Sequence, residues 1–240
     1  MRHVVDFALP PRCAGCGEIT ASDGAFCPEC WSGLDLLGSP CCDRCALPFE
    51  SDALSGADGL CLGCRDRAPA FDRMRAAVAY GELARGVALK LKYGRKPGAA
   101  RVMATLMSRH VGAFTGSGDP ILCPVPLHRS RLWTRGYNQA ALIARALARR
   151  HKLELVPDLL QRTRATPPLK EMGPAERART VRGAFRLHPR RAAKVEGRHI
   201  LLVDDVYTSG ATVGACAKVL KQGGAAQVGV LCWARVLHGD

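Results

Sequence analysis

Between His199 and Leu220 the chain reads HILLVDDVYTSGATVGACAKVL, and its chemistry is most concentrated there. An apolar run, Ile200 to Val203, ends in two carboxylates, Asp204 and Asp205. A turn of small residues follows, Thr208, Ser209, Gly210, Ala211 and Thr212, and then a helix-like segment. Carboxylates at a strand end accept hydrogen bonds from sugar hydroxyls. A small-residue turn that opens a helix aims backbone N–H groups and hydroxyls at a phosphate. The order therefore suits a phosphosugar. A bare Asp-Asp pair more often caps a helix or sits in a surface turn; its place after a buried strand and before TSGAT favours the ligand reading.

A second set of residues points to metal. Four CxxC pairs lie in the first 64 residues: Cys13/Cys16, Cys27/Cys30, Cys42/Cys45 and Cys61/Cys64. One CxxC turn offers two thiolates to an ion, and a second facing turn completes a tetrahedral zinc site. Gly17 and Gly63 are placed to let such knuckles turn tightly. All-thiolate sites are closed, so the zinc is expected to be structural. Sequential pairing, first knuckle with second and third with fourth, is favoured over an interleaved one. Cys41 stands beside Cys42 and is an alternative ligand to it. A short segment with few large apolar residues needs the metal to fold.

Twelve cysteines with no convincing signal peptide fit a cytoplasmic, thiol-reducing setting. No run approaches the ~20 apolar residues of a membrane span, so no membrane insertion is expected. The net charge of +14 is unevenly spread. Residues 1–70 carry five Lys/Arg against ten Asp/Glu, a net −5, and residues 71–240 carry 30 against 11, a net +19. The basic body suits polyanions such as pyrophosphate or nucleic acid. The acidic head argues against a nucleic-acid-binding finger.

The elements that must position these groups follow from pattern and punctuation. Residues 65–73 read as a linker. Met74–Tyr80 and the run 121–126 read as strands, and Leu83–Leu91, Ala99–Val111 and Tyr137–Arg150 as helices. Residues 127–136, LHRSRLWTRG, read as a loop. Gln161–Arg182 reads as a long basic loop with one helical turn, and Gly183–Leu187 as a strand. His199–Val203, a helix over 213–222 and Gln227–Ala234 make a βαβ unit, with Gly223 and Gly224 in left-handed conformations at the helix end. Strands separated by helices imply a mainly parallel sheet with ligands outside its carboxyl edge. Lys90, Lys92, Arg95 and Lys96 are as well read as a solvated helix face as an anion-binding stripe. Cys123, Cys216 and Cys232 read as core thiols. Trp133 and Tyr137 beside arginines resemble a stacking surface for single strands.

These residues together resemble a known family. VDDVYTSGAT is similar to the phosphoribosyl-pyrophosphate (PRPP) signature of type I phosphoribosyltransferases. With the four CxxC pairs upstream, the chain is identified as a member of the ComF family, which includes the competence-associated ComFC proteins. CPVPLHRSRLWTRGYNQA resembles that family's second signature through Pro124, Pro126, Arg131, Arg135, Gly136, Asn138 and Gln139; LKYG at 91–94 and RTRAT at 162–166 also fit. The resemblance spans essentially the whole chain. It implies an α/β, type I phosphoribosyltransferase fold over residues 71–240, a mainly parallel sheet flanked by helices. A small zinc-ribbon-like module would occupy residues 1–66.

The resemblance also implies roles. Asp204 and Asp205 would accept hydrogen bonds from the ribose 2′ and 3′ hydroxyls, directly or through hydrated Mg²⁺. Thr208, Ser209, Gly210, Ala211 and Thr212 would hold the 5-phosphate. Residues 127–136 would lie at the pyrophosphate, with Arg129, Arg131 and Arg135 stabilising its departure. Residues 161–182 would close as a lid. The family's lid Gln and the Asn before its Phe are replaced here by Leu169 and Thr180, and Pro167 and Pro168 stiffen the loop. Two functions remain compatible with these residues. One is phosphoribosyl transfer from PRPP to an acceptor. The other is a non-catalytic competence factor for DNA uptake in natural transformation. It would bind single-stranded DNA, with the fold as nucleotide sensor and the competence machinery as partner.

Overall fold

The computed structural model describes residues 10–20, 25–51, 58–94, 96–116, 118–167 and 172–237. Leu169, Pro168 and Arg95 lie outside them. Within the cysteine-rich head are two short helices, α1 (Pro28–Ser32) and α2 (Leu62–Asp66). The body runs β1 (Arg73–Ala79), α3 (Glu82–Lys92), α4 (Ala99–Met107), β2 (Ile121–Pro124), α5 (Arg129–Arg135), α6 (Gln139–His151), β3 (Leu160–Arg162), α7 (Pro174–Val181), β4 (Phe185–Leu187), β5 (His199–Tyr207), α8 (Ala211–Gln222) and β6 (Gln227–Arg235).

Four strands pair in parallel in the order β1-β6-β5-β2. β5 is buried on both faces, which is why it reads as a continuous apolar run rather than an alternation. Its odd residues Leu201 and Val203 pack in the core under α3, α4 and α6. Its even residues Ile200 and Leu202 pack in the core under α8 and the β3–β4 hairpin. The hairpin is a separate antiparallel pair, Leu160 opposite Leu187 and Arg162 opposite Phe185.

Both edges of the sheet are covered. Leu36 of the head bridges Val78 on the outer side of β1, with Leu37 N donating to Ala77 O at 3.0 Å and Ala79 N to Asp35 O at 2.8 Å. On the other side Leu155 bridges Leu122 of β2. An unpaired strand edge invites association, so the head also closes a hazard of the body.

Several sequence expectations need correction. β5 extends to Tyr207 because β6 keeps pairing with it, Tyr207 opposite Arg235; the two carboxylates therefore lie within the strand. Residues 129–135 form helix α5 rather than a loop. Residues 174–181 form two turns of helix, α7, started by Pro174 in its first turn. Gly63 is helical, and the third knuckle turns tightly with Ala46 at φ 56°, while Gly17 takes φ 92° as expected. At the end of α8 Gly224 is left-handed (φ 88°), but Gly223 is not.

Candidate phosphosugar and zinc sites

The head gathers its thiols into two groups. The sulfurs of Cys13, Cys16, Cys27 and Cys30 all lie within 4.8 Å of one another, and so do those of Cys42, Cys45, Cys61 and Cys64. Knuckle pairing is therefore sequential, and Cys41 belongs to neither group. The Cys16–Cys27 and Cys45–Cys61 sulfurs are 3.7 and 3.6 Å apart. A tetrahedron with Zn–S of 2.3 Å has an edge of about 3.8 Å, so the donor sets fit zinc. Backbone N–H groups already point at these sulfurs: Cys27 N and Gly15 N donate to Cys13 Sγ at 3.2 and 3.3 Å, and Cys61 N to Cys42 Sγ at 3.3 Å. Burial opposes the Cys13 thiolate, yet hydrogen bonds from Cys27, Cys16 and Gly15 bring its pKa down to about 6.

At the carboxyl end of β5 a small open pocket is lined by Asp204, Val206 and residues 207–213. Thr208, Ser209, Gly210, Ala211 and Thr212 thus come together with Asp204 as the sequence predicts. Gly210 occupies the N-cap of α8 at φ 73° and supplies no side-chain cap. The first N–H groups of α8 are left for an anion or water. Only glycine fits here: a Cβ would come within 2.5 Å of Tyr207 Oη. The Tyr207 ring meets Phe71 edge-on at 6.2 Å, and burial pushes its hydroxyl up to about 12.

The neighbouring carboxylates separate. Successive side chains on a strand face opposite sides. Asp204 is half-buried, lines the pocket, and accepts from Asp205 N at 2.9 Å. Burial, and then the charge of Asp205, raises its pKa well above the usual carboxylate range. Asp205 is buried and faces α3, where Lys92 Nζ lies 2.7 Å from its Oδ2. The contact is an ion pair rather than an aligned hydrogen bond, since that oxygen meets no hydrogen-bond geometry. Burial lowers the Lys92 pKa, but Asp205 outweighs it and holds the ammonium above its ordinary value.

Lys92 was legible only as one cation in a basic stripe. The stripe has no single role, because Lys90 donates to the carbonyls of Ala14 (3.3 Å) and Gly15 in the first zinc knuckle, while Lys96 is exposed.

The arginines of α5 differ. Arg129 is exposed. Arg131 Nη2 donates to Thr166 O at 3.0 Å. Arg135 donates to Tyr93 Oη at 3.2 Å and stacks over that ring at 5.1 Å. None of the three lines the turn pocket. Arg162, which sequence reasoning left inside a motif without a role, is 9% exposed on β3.

Comparison with known proteins agrees with this geometry. Residues 4–65 match the double zinc ribbon domain, and residues 134–239 match the phosphoribosyl transferase domain. The DNA utilization protein YhgH of Escherichia coli (strain K12) is 30% identical over 229 residues, covering 94% of this chain and 90% of its own. Competence protein F of Haemophilus influenzae is 25% identical, covering 93% and 96%, and competence protein ComFC of Bacillus subtilis is 26% identical, covering 86% and 82%. The chain belongs to the ComF family.

Among solved structures, TT1426 from Thermus thermophilus is 18% identical with a TM-score of 0.36, covering 59% of this chain and 85% of that one. Glutamine PRPP amidotransferase from B. subtilis is 17% identical with a TM-score of 0.39, covering 59% and 30%. This ComF-family chain joins a zinc-binding double ribbon to a phosphoribosyltransferase-type α/β body with a parallel sheet. Among the described residues no helix is long and apolar enough to cross a membrane.

Proposed function

We propose that the pocket at the end of β5 binds PRPP or a closely related activated pentose phosphate. The observation that carries this reading is the convergence of Asp204 with the 208–212 turn on the uncapped N-terminus of α8. The turn receives the 5-phosphate, and Asp204 accepts from a ribose hydroxyl. Asp205, on the opposite face of the strand and paired with Lys92, does not line this pocket. Asp204 offers an oxygen ligand of the kind Mg²⁺ takes alongside substrate phosphates. Bound there, Mg²⁺ would neutralise charge on the diphosphate.

In the transfer reaction the C1–oxygen bond to the diphosphate breaks and its electron pair leaves on pyrophosphate. An acceptor lone pair then forms the new bond to C1 of an oxocarbenium-like sugar, the character also met in glycoside cleavage. Arg131 and Arg135 stabilise the departing charge. Residues 1–66 and 71–240 act as head and body, and the reduced thiolates of the head suit the cytoplasm. Calorimetry with PRPP and Mg²⁺ tests the site: Asp204→Asn should weaken binding at least about ten-fold. Unchanged affinity would remove the assignment.

A second reading rests on a different observation. Trp133 is 88% exposed and Tyr93 67% exposed, and Arg135 stacks on Tyr93. Exposed aromatics beside arginines form a platform for single-stranded nucleic acid. It fits a role with the competence machinery. Trp133→Ala should then weaken binding of a fluorescent oligodeoxythymidine about 5-fold or more. No change in anisotropy titrations would exclude Trp133 from that surface.

A further inference from the structure

Arg235, the last residue of β6, is a buried cation, and among the described residues no carboxylate forms an ion pair with it. Its Nη1 donates to Cys45 O at 2.6 Å, and its guanidinium lies 5.1 Å over the Tyr207 ring. Both contacts are to neutral groups, so they orient the charge without balancing it. Nε is buried and has no hydrogen-bond partner. A buried guanidinium ordinarily has an anionic partner, because an unpaired buried charge is costly.

The second thiol group has the opposite need. A zinc ion with four thiolates carries a formal excess of two negative charges. At the first group Cys16 is exposed and Cys30 partly so, and water screens that excess. At the second, Cys42, Cys45 and Cys64 are all buried. Burial raises the Cys45 pKa, and the charge of Arg235 is the largest influence opposing it. We propose that Arg235, from the last strand of the body, is the charge partner of the second zinc site, so that this site is complete only with head and body joined. Groups beside a metal's ligands set its affinity as well as the ligands do. The head then docks partly through its metal, because a ribbon without zinc offers Arg235 a carbonyl but no balancing charge.

The test is competition for zinc between the full, zinc-loaded chain and a colorimetric chelator, with melting recorded for every variant. Arg235→Met and Arg235→Gln should each hold one of two ions about ten-fold or more weakly and leave the other within about two-fold. Repeating Arg235→Met in a Cys13→Ser chain, which keeps the second site alone, should give the same fall and identify the ion. Arg235→Lys keeps the charge and should retain most of the affinity. Arg44 lies in the same knuckle but is partly exposed, so Arg44→Met should leave both ions within about two-fold. Should Arg235→Met melt early, Arg235→Gln against Arg235→Lys decides, since glutamine can keep the hydrogen bond to Cys45 O and lysine keeps the charge. Both ions held as tightly as in the parent chain, or both loosened alike, overturns the assignment. So does an equal fall in Arg44→Met. Glutamine preserving the affinity where lysine does not also overturns it, and would leave Arg235 a hydrogen-bond donor alone.

Discussion

Two adjacent carboxylates repel, and the strand relieves this by turning them to opposite faces, one toward the α8 turn and one toward Lys92. Lys92 keeps 23% of its side chain exposed and Asp205 only 7%, so the pair is largely desolvated. Removing one partner of such a pair strands the other charge. Lys92→Met should cost about 3 kcal/mol, a fall of roughly 6–12 °C in Tm for a protein of this size. Adding Asp205→Asn should restore most of the loss, and additive losses in a thermal double-mutant cycle would contradict the pairing. Asp204 carries a pH signature. Its pKa in the fold lies above that of the unfolded chain, so its protonated form contributes stability below the unfolded value, about 4. That contribution is lost as pH rises through the folded value. Asp204→Asn should therefore melt increasingly above the parent chain as pH is raised from 4.5 to 8. A constant difference across that range would contradict the raised pKa.

At the level of elements, what packs was legible and what is capped was not. β5, α8 and β6 could be read because an apolar run and a helical period record burial directly. The turn pocket was legible because small residues after a strand let backbone groups line a cavity, and residues 208–212 do so beside Asp204. Helix α5 was missed because it buries no residue, so its sequence carries no apolar period. Its signal lies at its ends: His128 accepts from Ser130 N, and Gly136 closes it at φ 79°. Helix α7 sends Val181 into the core but is otherwise marked by Gly173 and Pro174 at its start. Arg162 and Lys92 stayed hidden because pairing across elements depends on tertiary placement, which local sequence does not encode. The turn offers its own test. Gly210→Ala adds a Cβ at φ 73° and against Tyr207. Strain of that kind costs about 1–3 kcal/mol. Phosphate affinity should fall with it, and Tyr207→Phe, which removes the nearest atom, should recover part of both. Unaltered melting and affinity would mean that the turn yields easily.

Across the whole molecule the acidic head is fastened to the basic body by more than the β1 edge. Arg75 Nη2 reaches Asp43 Oδ1 at 2.8 Å, and Lys90 holds the first knuckle. Most telling is Arg235, 7% exposed, whose Nη1 donates to the carbonyl of the zinc-ligand residue Cys45 at 2.6 Å while its guanidinium lies 5.1 Å over Tyr207. The Tyr207 ring in turn abuts Gly210. A continuous set of contacts therefore runs from the second thiolate group to the 208–212 turn. Zinc analysis should give two ions per chain, retained in Cys41→Ser and reduced to one in Cys42→Ser. Stripping the metal should free the Cys45 carbonyl and leave the buried Arg235 without its acceptor, a loss of about 1–3 kcal/mol on top of unfolding the ribbons. Calorimetric scans of the parent chain with and without chelator should then show the body melting lower once zinc is gone. In Arg235→Met the body starts lower and has that much less to lose. An equal chelator-induced drop in both proteins would mean that zinc organises the head alone, and that the contact at Cys45 carries no energy between the two.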